Sequence, residues 1–144
     1  MSPITDEQID AILPYLDHFE AAGPSYGIRY EPSSDPNVIT LPRFRFDETA
    51  GAFFRALYDH GWIATDFDWG GWIDAAQQLT ETPGAIEAAD AETIRKLLTT
   101  HVRYDRFCDD HLAVVFAEGH MVRLLRRLRA IRETRLSPQP ARTP

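Results

Sequence analysis

The stretch YGIRYEPSSDPNVITLPRFRF, residues 26–46, decides whether this chain is all-helical or mixed. In YGIRYE, Tyr26, Ile28 and Tyr30 alternate with Gly27, Arg29 and Glu31. In NVITLPRFRF, β-branched residues precede Phe44 and Phe46, which alternate with Arg43 and Arg45. A period of two sets one side of each run against a core and the other in water, the pattern of a half-buried strand. The intervening PSSDP is rich in turn formers, so the two runs are expected to pair antiparallel. Pro42 cannot donate to a ladder and places its run at an edge or a bulge. The expected fold is therefore α+β: mainly helical, with a small antiparallel β-hairpin or sheet over about residues 25–46 packed by four to six helices.

On either side the period becomes helical. Towards the N-terminus, Thr5 with Gln8 forms a capping-box pattern, and Ile9, Ile12, Leu13, Leu16 and Phe19 recur at helical spacing until Gly23 and Pro24. Pro14 inside that run removes a backbone donor, so it marks a kink or a new start. Towards the C-terminus, DETAGAFFRALYDHG (47–61) carries Phe53, Phe54, Leu57 and Tyr58 and stops at Gly61. An aromatic connector, WIATDFDWGGW, leads into a short helix ending before Pro83. A further helix is capped by Asp90 and uses Ile94, Leu97, Leu98 and Val102. In HLAVVFAEGHMVRLLRRLRAIRE (111–133), Met121, Leu124, Leu125, Leu128 and Ile131 form one stripe, and Gly119 is either a break or a close-packing contact. Residues 1–133 are expected as one globular domain and residues 134–144, rich in proline, as a disordered tail.

The 144 residues include one cysteine, Cys108, so no intramolecular disulfide can form, and the expected setting is a reducing cytoplasm. MSPITDEQID lacks a basic segment followed by an apolar run and does not read as a secretory signal. No stretch is long and apolar enough to span a bilayer, so no membrane partner is expected. The net charge of -7 is unevenly spread. Residues 1–92 hold 17 acidic and 4 basic side chains, residues 93–144 hold 5 and 11. Such an asymmetry steers an anionic partner to one end, or docks the C-terminal helices on the acidic half.

The densest chemistry lies in THVRYDRFCDDH, residues 100–111. On a continuous helix His101, Asp105 and Cys108 share a stripe with the core leucines, and His111 follows one turn on. A histidine, a carboxylate and a thiolate could hold zinc, but one helix rarely supplies a whole site, and the alternative is a buried cysteine beside a hydrogen-bonded His101–Asp105 pair. No metal or other cofactor is expected. Arg103 and Arg106, three apart, share another face and call for an anionic answer from inside the protein or from a ligand. The connector gathers Trp62, Phe67, Trp69 and Trp72 with Asp66 and Asp68, either as a stacking platform beside the arginines or as a loop pinned by its rings. The arginines of the last helix occupy nearly every non-core position, which suits a solvated face better than a groove reader. His18 and His120 stand isolated.

ILPYLDHFE, ALYDHGWI with FDW, and IRKLLTTHVRYDRFCDDHLAVVFAEGHMVRLLRRL together resemble the small bacterial proteins grouped as domain of unknown function 6508. The likeness covers most of residues 12–128 and is most specific at Arg103, Asp105, Arg106 and Phe107, followed by His111 and Leu112. Where such proteins tend to have glycine before that histidine, this chain has Asp110. The resemblance implies a single domain and assigns no activity.

Three functions follow as expectations. The first is a noncatalytic binding or interaction module holding an anionic small molecule or a protein segment at Arg103, Arg106, Trp62, Trp69 and Asp66, with a homodimer among the arrangements left open. The second is a small enzyme using His101 or His111 as general base, with Asp105 orienting it. The third, with nucleic acid the less expected partner, is a regulator acting through the arginine-rich last helix.

Overall fold

The structure, a computed structural model, describes residues 4–22, 28–31, 43–46, 48–107 and 111–136; at 22, 28–31, 43–46, 113 and 136 it describes the backbone alone. Helices α1 (Asp6–Ile12) and α2 (Pro14–Ala22) precede α3 (Glu48–Asp59), α4 (Ile73–Glu81), α5 (Ala91–Tyr104), α6 (His111–Ala117) and α7 (His120–Leu136). A 3-10 turn, Gly70–Trp72, leads into α4.

The α+β expectation is corrected: the protein is helical. Among residues described to the side chain, 74% are in helices and none is in a strand. Among the described residues, backbone pairing is limited to a ribbon of two four-residue segments, β1 (Ile28–Glu31) and β2 (Arg43–Phe46), with Ile28 opposite Phe46 and Glu31 opposite Arg43. Two such short strands make no layer for helices to pack on, because a lone pair of strands is marginal in water. The helices bury their apolar faces against one another instead. Their number also exceeds the expected four to six among the described residues, because Pro14 and Gly119 each divide one periodic run into two helices. Residues 32–42 and 137–144 lie outside the described residues, and α7 continues to Leu136, into the stretch expected as tail.

Local chemistry explains the breaks. The Thr5 hydroxyl accepts from the Gln8 amide at 3.2 Å while the Gln8 side chain accepts from the Thr5 amide at 2.9 Å, so the capping box forms as read. Pro14 takes the first position of α2, where its missing N–H costs nothing. Gly61 and Gly119 adopt φ of 73° and 76°, the left-handed conformation that ends α3 and separates α6 from α7. Asp90 caps α5, its carboxylate accepting from the Thr93 amide at 2.7 Å.

The core runs continuously from Ile4 to Leu128. Its centre is aromatic: Phe19 of α2 meets Phe53 of α3 and Phe116 of α6 edge to face, with ring centroids 5.2 Å and 4.9 Å apart. Trp62 is fully buried and donates its indole N–H to the Gln8 carbonyl at 2.9 Å, fastening the connector to α1. Across α7 the charge asymmetry is resolved within the chain. Arg132 donates to both carboxylate oxygens of Asp10 at 2.9 and 3.1 Å, Arg135 pairs with Asp6, Arg126 and Arg129 share Glu20, and Arg123 grips Glu87 at 2.7 and 2.9 Å. The hydrogen bond from Arg132 holds the Asp10 carboxyl below its usual range, and that from Arg123 lowers Glu87 to about 2.

Phe19→Ala is expected to lower unfolding stability by about 3–5 kcal/mol, the usual cost of emptying a packed aromatic site, read as a shifted denaturant midpoint with an unchanged slope. Arg129→Ala, which removes one of two exposed arginines on Glu20, should cost less than about 1 kcal/mol in the same measurement.

Candidate functional site

Helix α5 ends at Tyr104 and α6 begins at His111, so the continuous helix assumed through residues 100–111 is corrected. The reversal carries His111 back alongside His101. The left-handed Gly119 then turns the chain again and sets His120 at the first position of α7. Three helices thus each deliver one imidazole to one place. His101 Nδ1 lies 3.0 Å from His111 Nε2, and His101 Nε2 lies 3.0 Å from His120 Nε2. The His101 and His111 rings stack at 30°, whereas His120 meets His101 edge-on at 84°.

Hydrogen-bond rules give this chain a direction. The Thr80 hydroxyl donates to the Ala76 carbonyl at 2.9 Å, so it is an acceptor at its 3.4 Å contact with His120 Nε2, which favours the tautomer with the proton on that nitrogen. That proton also points to His101 Nε2, leaving it bare and placing the His101 proton on Nδ1. His101 Nδ1 in turn donates to His111 Nε2, and His111 is protonated on Nδ1. All three rings are neutral in this assignment.

The environment agrees. Burial lowers His101 to about 3, with the neighbouring His120 and His111 adding to the effect. Burial also lowers His120 to about 4, helped by the Arg123 guanidinium and by His111. His111, half-buried, is lowered by burial too, opposed by Asp105 and Glu118.

The three rings line a cavity of about 510 Å³ between α4, α5, α6 and α7. Ile73, Ala76, Val114 and Val115 give it an apolar side; Thr80, Thr100, Gln77 and Tyr104 give it polar groups. Glu81 and Glu118 add two carboxylates, and no lysine or arginine is among the described lining residues. Arg123 donates to the Thr80 carbonyl at 3.4 Å and is paired with Glu87.

The expected site residues divide. His101 and His111 face this cavity, but the expected His101–Asp105 pair does not form. Asp105 instead accepts from the Leu112 amide at 2.9 Å, capping the start of α6, because the chain reverses where a continuous helix was assumed. Arg103 and Arg106 do not line the cavity. Arg106 is exposed and donates to the Tyr58 hydroxyl at 3.2 Å; Arg103 Nε is buried with no partner among the described residues. Trp69 stacks on the exposed Phe107 at 5.7 Å, close to that end of α5, and Asp66 is exposed. Trp62 is withdrawn from any surface by its burial and its bond to Gln8. Cys108 lies outside the described residues.

No group of three histidine, cysteine or acidic side chains among the described residues is arranged to hold a metal ion. His101 shows why. It offers Nδ1 to one neighbour and Nε2 to the other, and a single ion can take only one of these. His120 is the residue that sequence reasoning missed. Its signal was Gly119, whose left-handed turn gives His120 its position.

Residues 4–134 match the profile of a family of unknown function (DUF6508). The chain belongs to this family. No curated protein and no solved structure matches it. The family match spans all three histidines and the helices that carry them. No described helix of this DUF6508 chain is long and apolar enough to cross a membrane.

Stability should depend on pH through the buried rings. The unfolded chain protonates each histidine near pH 6.5, the folded one only near 3 and 4 at His101 and His120. Stability is therefore complete above pH 6.5 and falls as pH drops towards 4, by about 1.4 kcal/mol per pH unit per ring. His111 adds in the same direction. Urea unfolding at pH 7, 6 and 5 should show this slope, and His120→Asn should remove about one ring's share. A flat profile would mean that the rings titrate in the folded protein as they do in the unfolded chain.

Proposed function

We propose that this protein is a binding module for a small neutral or cationic molecule, held in the cavity of His101, His111 and His120. The observation that carries the reading is the chemistry of the lining. Three neutral imidazoles, two hydroxyls and a phenol offer hydrogen bonds, an apolar wall accepts a hydrocarbon body, and the only described charges are those of Glu81 and Glu118. Such pockets, mostly apolar with a few convergent polar groups, are where small ligands bind. Among the described lining residues an anion would meet two carboxylates and no lysine or arginine.

A second reading keeps the anion site at Arg103, Arg106, Trp69 and Asp66. It is favoured by one observation, the buried Arg103 Nε with no partner among the described residues. A nucleic-acid role gains less support. Arg123, Arg126, Arg129, Arg132 and Arg135 are paired with the chain's own carboxylates, and Arg127 donates to the Ala89 carbonyl at 2.7 Å.

Phenethylamine and 3-phenylpropionate, similar in size and opposite in charge, separate the readings by titration calorimetry or ligand-observed NMR. Two exposed carboxylates at roughly 0.7 kcal/mol each should favour the amine by about tenfold. Glu81→Gln with Glu118→Gln should abolish that preference. Tighter binding of the carboxylate, lost on Arg103→Gln, would transfer the site to the arginines.

A further inference from the structure

We infer that His111, His101 and His120 form one proton relay with both terminal rings on the cavity wall, fitted to move a proton between two atoms of a single bound molecule. The activity this implies is a prototropic isomerisation, of the keto–enol or imine–enamine kind. It rests on the reading of the cavity as the ligand site.

The hydrogen-bonded chain of rings is degenerate. The same heavy-atom geometry admits two all-neutral tautomer sets. In one, His120 Nε2 donates to His101 Nε2 and His101 Nδ1 donates to His111 Nε2. In the other, both hydrogen bonds run in reverse. The sets interconvert when one proton enters at His120 Nδ1, one hops from His120 Nε2 to His101 Nε2, one hops from His101 Nδ1 to His111 Nε2, and one leaves from His111 Nδ1. The bound molecule loses a proton from one atom and gains one at another. No electrons are transferred, no bond to protein forms, and no ring need carry a net charge.

That last property suits this site. Isolated protonation of His101 or His120 is opposed by burial, so a base acting alone would be disfavoured here, whereas a concerted relay avoids the buried imidazolium. Water at the cavity mouth can reset the chain by taking a proton from His120 Nδ1 and returning one to His111 Nδ1, with both internal hops running in reverse. His101 acts only through its neighbours and is a positioning and relay residue. The Thr80 hydroxyl, committed to the Ala76 carbonyl, selects the resting set.

The test has two arms. First, nitrogen NMR of the full chain with labelled histidine, without added ligand, reads which nitrogen of each ring carries the proton. His111 should rest on Nδ1–H, and Thr80→Val should shift its tautomer populations, although Thr80 does not contact His111; His18→Gln should leave them unchanged. Second, loss of the methylene proton signal of 2-aminoacetophenone in D2O reports proton abstraction from a cationic carbon acid. The wild type should exceed His101→Phe by at least tenfold. A His111 tautomer indifferent to Thr80→Val overturns the inference, as do equal exchange rates in the two proteins. Uncoupled tautomers with the amine preference intact would remove the relay alone; coupled tautomers without that preference would remove the binding reading alone.

Discussion

Everything in this molecule depends on how α7 is seated. Its inner stripe, Met121, Leu124, Leu125 and Leu128, is fully or nearly fully buried, while arginines crowd the rest of its surface. A helix so cationic cannot lie along a core unless opposite charge meets it at the rim. Asp6 and Asp10 of α1, Glu20 of α2 and Glu87 before α5 provide that charge. Each exposed pair contributes little by itself. Together they fix the register of α7 on the N-terminal helices, and that register places its first residue, His120, against His101.

The histidine chain then follows from satisfying buried polar atoms. An imidazole has two nitrogens, and a buried one without a partner costs about 1–3 kcal/mol. His101 is flanked on α5 by the buried Leu97, Leu98 and Val102. His111 and His120 supply its two partners, and Thr80 closes the far end. The bonds that make the core tolerable also make the rings interdependent, so the polar network is at once a packing solution and a chemical device.

Much of this fold was legible in the residues. The capping box at Thr5, the Asp90 cap, the stop at Gly61 and the buried stripes of α1, α5 and α7 are short-range signals, and each formed; of the stripe read on α3, Phe53 and Leu57 are buried but Tyr58 is exposed. The alternation over residues 26–46 misled, because periodicity reports which side of a segment is apolar and not whether enough strands exist to build a layer. The site was half legible. His101 and His111 stood out by local density, yet bringing them together depends on a reversal after Tyr104 that helical geometry alone does not forecast. His120 was invisible for a different reason: its partners lie 19 residues back on α5 and 40 back on α4, and only Gly119 marked the turn.

The fate of Asp105 bears most directly on chemistry. In a serine-protease-like arrangement a carboxylate beside the histidine fixes one tautomer and stabilises the imidazolium that forms. Here that carboxylate accepts from the Leu112 amide, and no acid lies within the described hydrogen bonds of the three rings. Direction is left to a single hydroxyl at 3.4 Å, a weak bias. A site built this way does not stabilise a charged base. It holds two neutral states close in energy, and a bound molecule that prefers the second over the first can switch between them without bringing charge into the core.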